Sequence, residues 1–400
     1  MKRLLLLGGL RYLLPVIDAA HKLGCYVITC DYLPDNIAHK YSDEYHNVSI
    51  LDKEAVLVFA KKLNIDGIMA FAVDPGVVTA AYVAEQMGLP SAGSYRSISI
   101  LQNKALFREF LTENGFNVPR ARGYRDCDSA LQDTDYYNFP VIVKPVDSAG
   151  SKGVSRVDHP NDLAKAIAYA LRFSHSGEFI IEDFLEKKGF SSDTDCFSVH
   201  GGLKFVSFSD QRFDEKAENP YTPSGYSWPS TIPECFQQEL TGEIQRLLTL
   251  LDMGTSIYNI EVRECTNGKA YIMEVSPRGG GNRLAEVLRL ATGVDLIENA
   301  VRAALGMEIV GVEMPKYDGF WAELILHSDR AGRFKALDID KSFLKDCVVE
   351  IDIWVENGDV VEGFSGANEA IGTLVLRFKT QEQLAYAMEN YRDWITVEVE

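Results

Sequence analysis

Ile257 to Val262 and Ala270 to Val275 alternate or run apolar, and Thr266-Asn267-Gly268 lies between them. Two such runs around an Asn-Gly turn predict an antiparallel hairpin. That pairing fixes what can lie opposite what, so Glu261 and Glu274, thirteen residues apart, can stand side by side. Two carboxylates at close range are the hard oxygen ligands Mg²⁺ takes when it also holds nucleotide phosphates. Arg278 follows in Glu274-Val275-Ser276-Pro277-Arg278, where it would reach the same phosphates and stabilise charge developing in phosphoryl transfer. A Glu–Arg pair taken alone is more commonly a solvated surface contact. Here Glu274 ends the apolar run Tyr271-Ile272-Met273 and precedes Ser-Pro-Arg-Gly-Gly-Gly, which favours the chemical reading.

A second signal is the apolar strand Val141-Ile142-Val143-Lys144-Pro145, which runs into Ser148-Ala149-Gly150-Ser151-Lys152-Gly153. A lysine ending a strand before a small-residue loop can place an ammonium and several backbone N–H groups around phosphates. Such loops also serve simply as turns, and GxxxxGK[ST] does not occur. Lys104, on an amphipathic helix, reads on its own as a solvated lysine. A third signal is Phe179-Ile180-Ile181-Glu182-Asp183-Phe184-Leu185, an apolar strand closing in acids and an aromatic. It can line an adenine pocket with backbone groups reading the base edge, or be a plain buried strand end.

The first 95 residues set a frame. Leu4 to Leu7, Tyr26 to Asp31 and Gly67 to Phe71 read as strands; Tyr12 to Leu23, Ala55 to Leu63 and Val77 to Met87 read as helices. That alternation predicts a parallel α/β domain. Gly8-Gly9-Leu10-Arg11-Tyr12-Leu13 lacks the spaced and third glycines of a dinucleotide fingerprint, so a dehydrogenase is disfavoured. Asp31 then caps a strand end or touches a substrate. Further on, Ile98 to Asn114, Arg283 to Leu290, Leu296 to Leu305 and Gln381 to Asn390 read as helices. Phe320 to His327, Cys347 to Val355 and Gly372 to Phe378 read as strands of a small C-terminal α+β lid. Gln211 to Asp214 and Asn219 to Pro229 read as an ordered loop over a site or a plain surface loop. His200 and His327 read as structural.

Composition narrows the classes. The net charge is -18 and Lys and Arg are scattered, so no basic face suggests nucleic acid. Seven cysteines are widely spread without CxxC pairs, which argues for free thiols and against structural zinc. Met1-Lys2-Arg3 before Leu4 to Leu7 could pass for a signal peptide, but Arg11 breaks the run. With no stretch of about 20 apolar residues either, the reading is a cytoplasmic protein with no membrane partner.

Lys104, then Val143-Lys144-Pro145 with its Gly/Ser loop, then Glu182-Asp183-Phe184-Leu185, Glu261, and Glu274-x-Ser-Pro-Arg278 resemble, in that order, the ATP-grasp superfamily over roughly residues 97 to 310. The resemblance implies ATP and Mg²⁺. Lys104 and Lys144 would hold the phosphates, with Ser148, Gly150, Ser151 and Gly153 closing over them. Glu182, Asp183, Phe184 and Leu185 would hold adenine; Glu261, Glu274 and Ser276 would hold metal; and Arg278 would assist phosphoryl transfer. The family's E-x-N-P-R has serine for asparagine here, as in the E-V-S-P-R of formate-dependent glycinamide ribonucleotide transformylases. Asp193 or Asp195 would stand in for the ribose-binding acid. The implied architecture is an N-terminal parallel α/β domain (1–95), an ATP-grasp α+β domain (96–310, dividing near 175) and a C-terminal α+β module (311–400).

Arg278-Gly279-Gly280-Gly281-Asn282-Arg283 resembles the R-x-G-G region that contacts substrate in L-amino-acid ligases. Glycines admit close backbone approach, and Arg283 could pair with a carboxylate, so Gly280, Gly281, Asn282 and Arg283 are the candidate substrate residues; a flexible turn is the alternative. The expected activity is carboxylate–amine ligation through an acyl phosphate, on a small-molecule acid and amine. Homodimers are common among such enzymes. A formate-dependent transformylase is the second reading, though its His-Asp-Thr-Gly after Pro-Arg is Gly-Gly-Gly-Asn here. A nucleotide-binding regulator without turnover is the third.

Overall fold

The computed structural model describes residues 1–400 apart from Ala149. Strands β1 (Arg3–Leu7), β2 (Tyr26–Cys30), β3 (Glu44–His46) and β4 (Gly67–Ala70) form a parallel sheet in the order β3-β2-β1-β4. Helices α1 (Leu14–Lys22) and α2 (Lys53–Leu63) connect β1 to β2 and β3 to β4, and α3 (Asp74–Met87) follows β4. Leu4 to Leu7 are fully buried, which is why β1 is apolar without alternation. A Cβ at Gly8 would meet Val73 at 2.8 Å, and one at Gly9 would meet His39 at 2.5 Å. Protein thus fills the space a dinucleotide would need. Asp31 caps its strand end, accepting from Tyr32 N and Asn36 Nδ2, both at 2.7 Å.

The helix expected over Ile98 to Asn114 is two: α4 (Tyr95–Gln102) and α5 (Lys104–Glu113). Asn103 breaks it, with an extended backbone and a side chain that accepts from Ala105 N and Leu106 N. An asparagine cap satisfies otherwise orphaned helix donors. The break puts Lys104 in the first turn of α5, where its own N–H reaches Val146 O at 3.0 Å.

A second sheet, antiparallel in the order β5-β8-β6-β7, joins β5 (Ala121–Tyr124), β6 (Val141–Pro145), β7 (Ser155–Val157) and β8 (Phe179–Asp183). Helices α6 (Cys127–Gln132) and α7 (Leu163–Leu171) pack on it around Val141, Val143, Ile167 and Ile181. The register opposes Ile142 to Glu182, which brings Lys144 and Glu182 to one face.

The largest sheet runs β14-β13-β9-β11-β12-β15-β19-β17, with β10 (Gly202–Phe205) beside β9. Its strands are β9 (Lys187–Val199), β11 (Asp210–Phe213), β12 (Pro223–Trp228), β13 (Ser256–Cys265), β14 (Ala270–Ser276), β15 (Phe320–Leu326), β17 (Val348–Ile353) and β19 (Gly372–Phe378). One expectation is corrected here. Gln211 to Phe213 and Pro223 to Trp228 are not a loop, for β11 and β12 lie inside the sheet and bury Tyr226 and Trp228; residues 219–222 form a turn before β12. Asp193 and Asp195, read as stand-ins for the ribose-binding acid, are on β9. They lie six and eight residues along β9, about 20 Å or more from its start, paired with β13.

Helix α8 (Glu234–Leu250) was not foreseen, and it buries Leu240, Ile244, Leu247 and Leu248. Helices α9 (Leu284–Thr292) and α10 (Leu296–Ala304) follow the hairpin, and α10 packs against β4 and β13. At the C-terminal end β16 (Gly332–Ile339), β18 (Val360–Val361) and β20 (Ile395–Val399) form a small sheet. The C-terminal strands β15, β17 and β19 continue the largest sheet. Among the described residues, no helix is long and apolar enough to cross a membrane. His200 is exposed in a turn. His327 is buried, stacked on Phe364 and 3.0 Å from Asp214.

Candidate active site

The predicted hairpin forms, and its register puts Glu261 directly opposite Glu274. On the other side of β13, Glu261 faces Asp193 of β9. Directly paired residues share a sheet face, so Glu274, Glu261 and Asp193 make one acidic row. A second row two residues away holds Ser276, Asn259 and Asp195. Both glutamates keep part of their side chains exposed, 39% for Glu274 and 29% for Glu261. Two accessible carboxylates opposed on adjacent strands are a donor set that fits a hard divalent cation shared with phosphates.

Asp193 is half-buried, next to the fully buried Asp195. Burial pushes the Asp193 carboxyl up to about 7, and the charge of Glu261 adds to that. Burial pushes Asp195 up to about 7 as well, although it accepts the Gly280 N–H at 2.8 Å. Asn259 donates to Asp193 at 2.7 Å.

The lysines converge from two other elements. Lys104 Nζ donates to Ser148 O at 2.8 Å and lies 3.4 Å from Glu274 Oε1, so one ammonium ties the glycine loop to the hairpin. Lys144 pairs with Glu182, whose other oxygen accepts from Arg108 Nε at 3.0 Å. Arg108 also donates to Met273 O at 2.9 Å, next to Glu274. Burial raises the Glu182 carboxyl, but Arg108 and Lys144 outweigh it and hold it at about 2. Two cations against one carboxylate leave positive charge in excess. Burial lowers the Lys144 pKa, and Arg108 and Lys104 add to that. An anion such as phosphate would relieve that strain.

The Glu182 side chain is 4% exposed and wholly engaged with Arg108 and Lys144, so it positions the lysine and leaves only its backbone for a base. Asp183 is likewise engaged, accepting from Asn138 N at 3.0 Å. Phe184 lies under the Arg156 guanidinium at 4.5 Å, and Leu185 O lies 3.5 Å from Arg263. In the loop, Gly150, Ser151 and Gly153 take left-handed φ of 68°, 59° and 73°. Glycine reaches that region without steric cost. Ser151 Oγ donates to Tyr221 O at 3.1 Å, linking the loop to the segment before β12. Ala149, inside that loop, lies outside the described residues.

Arg278 reaches a partner the sequence reading missed. Asp74, at the start of α3, accepts from its Nε at 2.9 Å and its Nη2 at 2.7 Å. Ser276 donates to the same carboxylate at 2.8 Å and accepts from Gln102 at 2.9 Å. Ser276 is buried and its hydroxyl is engaged, so the metal role expected of it gives way to a part in holding Arg278. The signal for Asp74 was an acid opening a helix at the carboxyl end of a parallel strand, where such folds place ligands. Asp74→Asn keeps the shape but frees Arg278. We expect kcat to fall about 10- to 100-fold, with a smaller change in the KM of ATP. Steady-state phosphate release measures this, and an unchanged kcat removes Asp74 from the site.

The glycine run is packed differently from the expectation. A Cβ on Gly279 would meet the Phe71 ring at 2.2 Å, and one on Gly280 would meet Leu284 at 2.5 Å and Asn259 at 2.8 Å. These two glycines admit protein and not a ligand, which corrects the substrate role of Gly280. Gly281 borders open space. Asn282, at φ 55°, lies between the hydroxyls of Tyr12 and Tyr226 at 3.4 and 3.5 Å. Arg283 is already spoken for: its guanidinium bonds Glu286 at 3.0 Å and also Glu350. It is no free receptor for a carboxylate, because two acids neutralise it.

Residues 137–286 match the ATP-grasp domain family. A formate-dependent phosphoribosylglycinamide formyltransferase of a Synechococcus species is 25% identical over 316 residues, 78% of each chain. The carbamoyl phosphate synthase large chain of Pseudothermotoga lettingae is 26% identical over 292 residues, covering 72% of this chain; the match spans only 26% of that much longer protein. The L-amino acid ligase of Bacillus licheniformis superposes with a TM-score of 0.83 at 18% identity, over 100% of this chain and 99% of that one. That likeness shows a common fold.

Proposed function

With an ATP-grasp domain over residues 137–286 as premise, we propose that this chain is an ATP-dependent carboxylate–amine ligase. The observation that carries the reading is Glu261 directly opposite Glu274, with Lys104 bridging Glu274 to the glycine loop. A carboxylate is a poor electrophile at neutral pH, so it needs activation before an amine can attack. Lys104 and Lys144 hold the ATP phosphates, and the loop from Ser148 to Gly153 covers them. Glu261 and Glu274 would hold Mg²⁺, and the chemistry that ion would supply is positive charge at the phosphate oxygens. Arg278, fixed by Asp74, stabilises charge on the phosphoryl group in transfer. The acid's oxygen attacks the γ-phosphorus and ADP leaves. The amine then attacks the acyl carbon, and inorganic phosphate departs with one oxygen of the acid.

Asp183 N and Phe184 N bond Arg120 O and Pro140 O. An adenine edge would therefore be read by Leu185 and the strand-end carbonyls. The formyltransferase reading keeps the same chemistry with formate as the acid and draws support from the relative aligned over 78% of each chain. Hydroxylamine trapping distinguishes the acids. Each amino acid and formate is offered with Mg-ATP and hydroxylamine, and ATP-dependent hydroxamate is measured. We expect hydroxamate from amino acids; hydroxamate from formate alone would move the assignment. ATP binding with no hydroxamate from any acid would favour a regulator.

A further inference from the structure

The acidic row does not stop at Asp193. In the register of the sheet, Ser191 faces Gln211, Gln211 faces Tyr226, and Tyr226 faces Glu323. Glu323 and Glu350 both pair with Val375. One sheet face therefore runs from Glu274 through Asp193 to Glu323 and Glu350. At its far end stand three carboxyls, of Glu323, Glu286 and Glu350, about the guanidinium of Arg283, which pairs with the last two. Glu323 is fully buried. Its Oε1 accepts from Arg283 N at 3.0 Å, and its Oε2 meets no donor among the described residues. A buried carboxylate oxygen without a partner costs free energy unless a cation or donor reaches it.

The neighbours are loosely joined. Tyr12 to Asn282, Asn282 to Tyr226, Tyr226 to Asp193 and Gln211 to Asp193 all stand at 3.4 or 3.5 Å. These lie beyond ordinary hydrogen-bond lengths, as for polar groups arranged around something else. Gly281, next to Asn282 in the chain, has open space where a Cβ would stand.

We propose that this Tyr12–Asp193–Tyr226–Asn282–Glu323 pocket receives a substrate's protonated amine, with Glu323 Oε2 as its principal acceptor. The proposal rests on the ligase reading for which substrate that is, and deepens it. An alkylammonium supplies positive charge among these carboxyls and the donor that Glu323 Oε2 lacks. A phosphate-bearing amine meets carboxyls here, and the nearby arginines, Arg278 and Arg283, are already paired. The ammonium has two sources, the acid donor's own α-amine or the acceptor amine.

Calorimetric titration with L-alaninamide and with lactamide, a neutral molecule of the same size, tests the site without turnover in the presence of Mg-ADP. Wild type should prefer the cation by about tenfold or more, and Glu323→Gln should abolish the preference while Glu323→Asp retains part of it. Because Gln keeps the shape and the Oε1 bond and removes an unpartnered carboxyl oxygen, its Tm should stay close to or above that of wild type. Equal binding of the two probes to wild type, or an unaltered preference in Glu323→Gln, overturns the proposal. Steady-state kinetics of Glu323→Gln identify the source, with hydroxylamine trapping for the donor and phosphate release at saturating donor for the acceptor amine. A raised KM for an amino-acid donor assigns the ammonium to the donor, and a raised KM for only the acceptor amine assigns it there. Both KM values unchanged overturns it. Failure of wild type to make any hydroxamate would end the ligase reading, while a cation preference measured by titration would still establish the pocket.

Discussion

Glu274→Gln lowers Mg-ATP-dependent phosphate release about 100- to 1,000-fold while the protein stays folded. Glu274 stands opposite Glu261, with 39% of its side chain exposed, so an amide there buries no new charge and opens no cavity. What changes is the ligand: the amide is neutral and a weaker donor to a hard cation. Charge on the transferring phosphoryl group then loses stabilisation in the transition state, where such losses are largest. The effect should fall on kcat, and a Mg²⁺ titration should show the midpoint moving to higher metal. Lys104 also loses its charged neighbour at 3.4 Å, but an ion pair this exposed contributes at most about 1 kcal/mol. Wild-type kcat with an unmoved Mg²⁺ midpoint removes Glu274 from the metal site.

Glu182→Ala is expected to act on stability as much as on activity. It strands Arg108, 3% exposed, and Lys144 in a buried site with no counter-charge. Removing one partner of a buried pair costs about 3–5 kcal/mol, far more than the pair adds over an apolar replacement. Urea unfolding should show a lower midpoint at an unchanged slope. The same carboxylate gives a pH signature. Its folded pKa, about 2, lies below the ordinary 4.5, so its contribution is complete above about pH 4.5. Stability is lost as pH falls from 4.5 towards 2, and Glu182→Ala should lack that part of the acid dependence. Equal acid profiles for the two proteins contradict the ion-pair assignment.

Much of the site was legible because its chemistry sits on regular elements. The period-two pattern and the Asn-Gly turn fixed the hairpin, and with it the opposition of Glu261 and Glu274. A strand-ending lysine before a glycine loop placed Lys144. What stayed hidden depends on pairing between segments far apart in sequence. Arg278 with Asp74, 204 residues away, and Glu182 with Arg108 are tertiary contacts that leave no local pattern. Ser191-Ser192-Asp193-Thr194-Asp195 is polar and carries no strand pattern, yet it lies in β9, paired with β13, and its polar groups bond across strands to Ser207 and Ser209. Tyr226 and Trp228 lay in a proline-rich stretch that reads as a loop, and sheet pairing overrides that composition. Arg283 illustrates the opposite error. Its residue type and neighbours suggested a carboxylate receptor, but Glu350, 67 residues on, had already taken that place.

The most direct test of the ligase assignment follows one oxygen atom. An acid that supports hydroxamate formation is labelled with ¹⁸O in its carboxylate and turned over with Mg-ATP and an amine. If the acid is activated as an acyl phosphate, each inorganic phosphate released carries one labelled oxygen. Phosphate released without label, at the rate of product formation, would show that water and not the carboxylate takes the phosphoryl group, and would contradict the assignment.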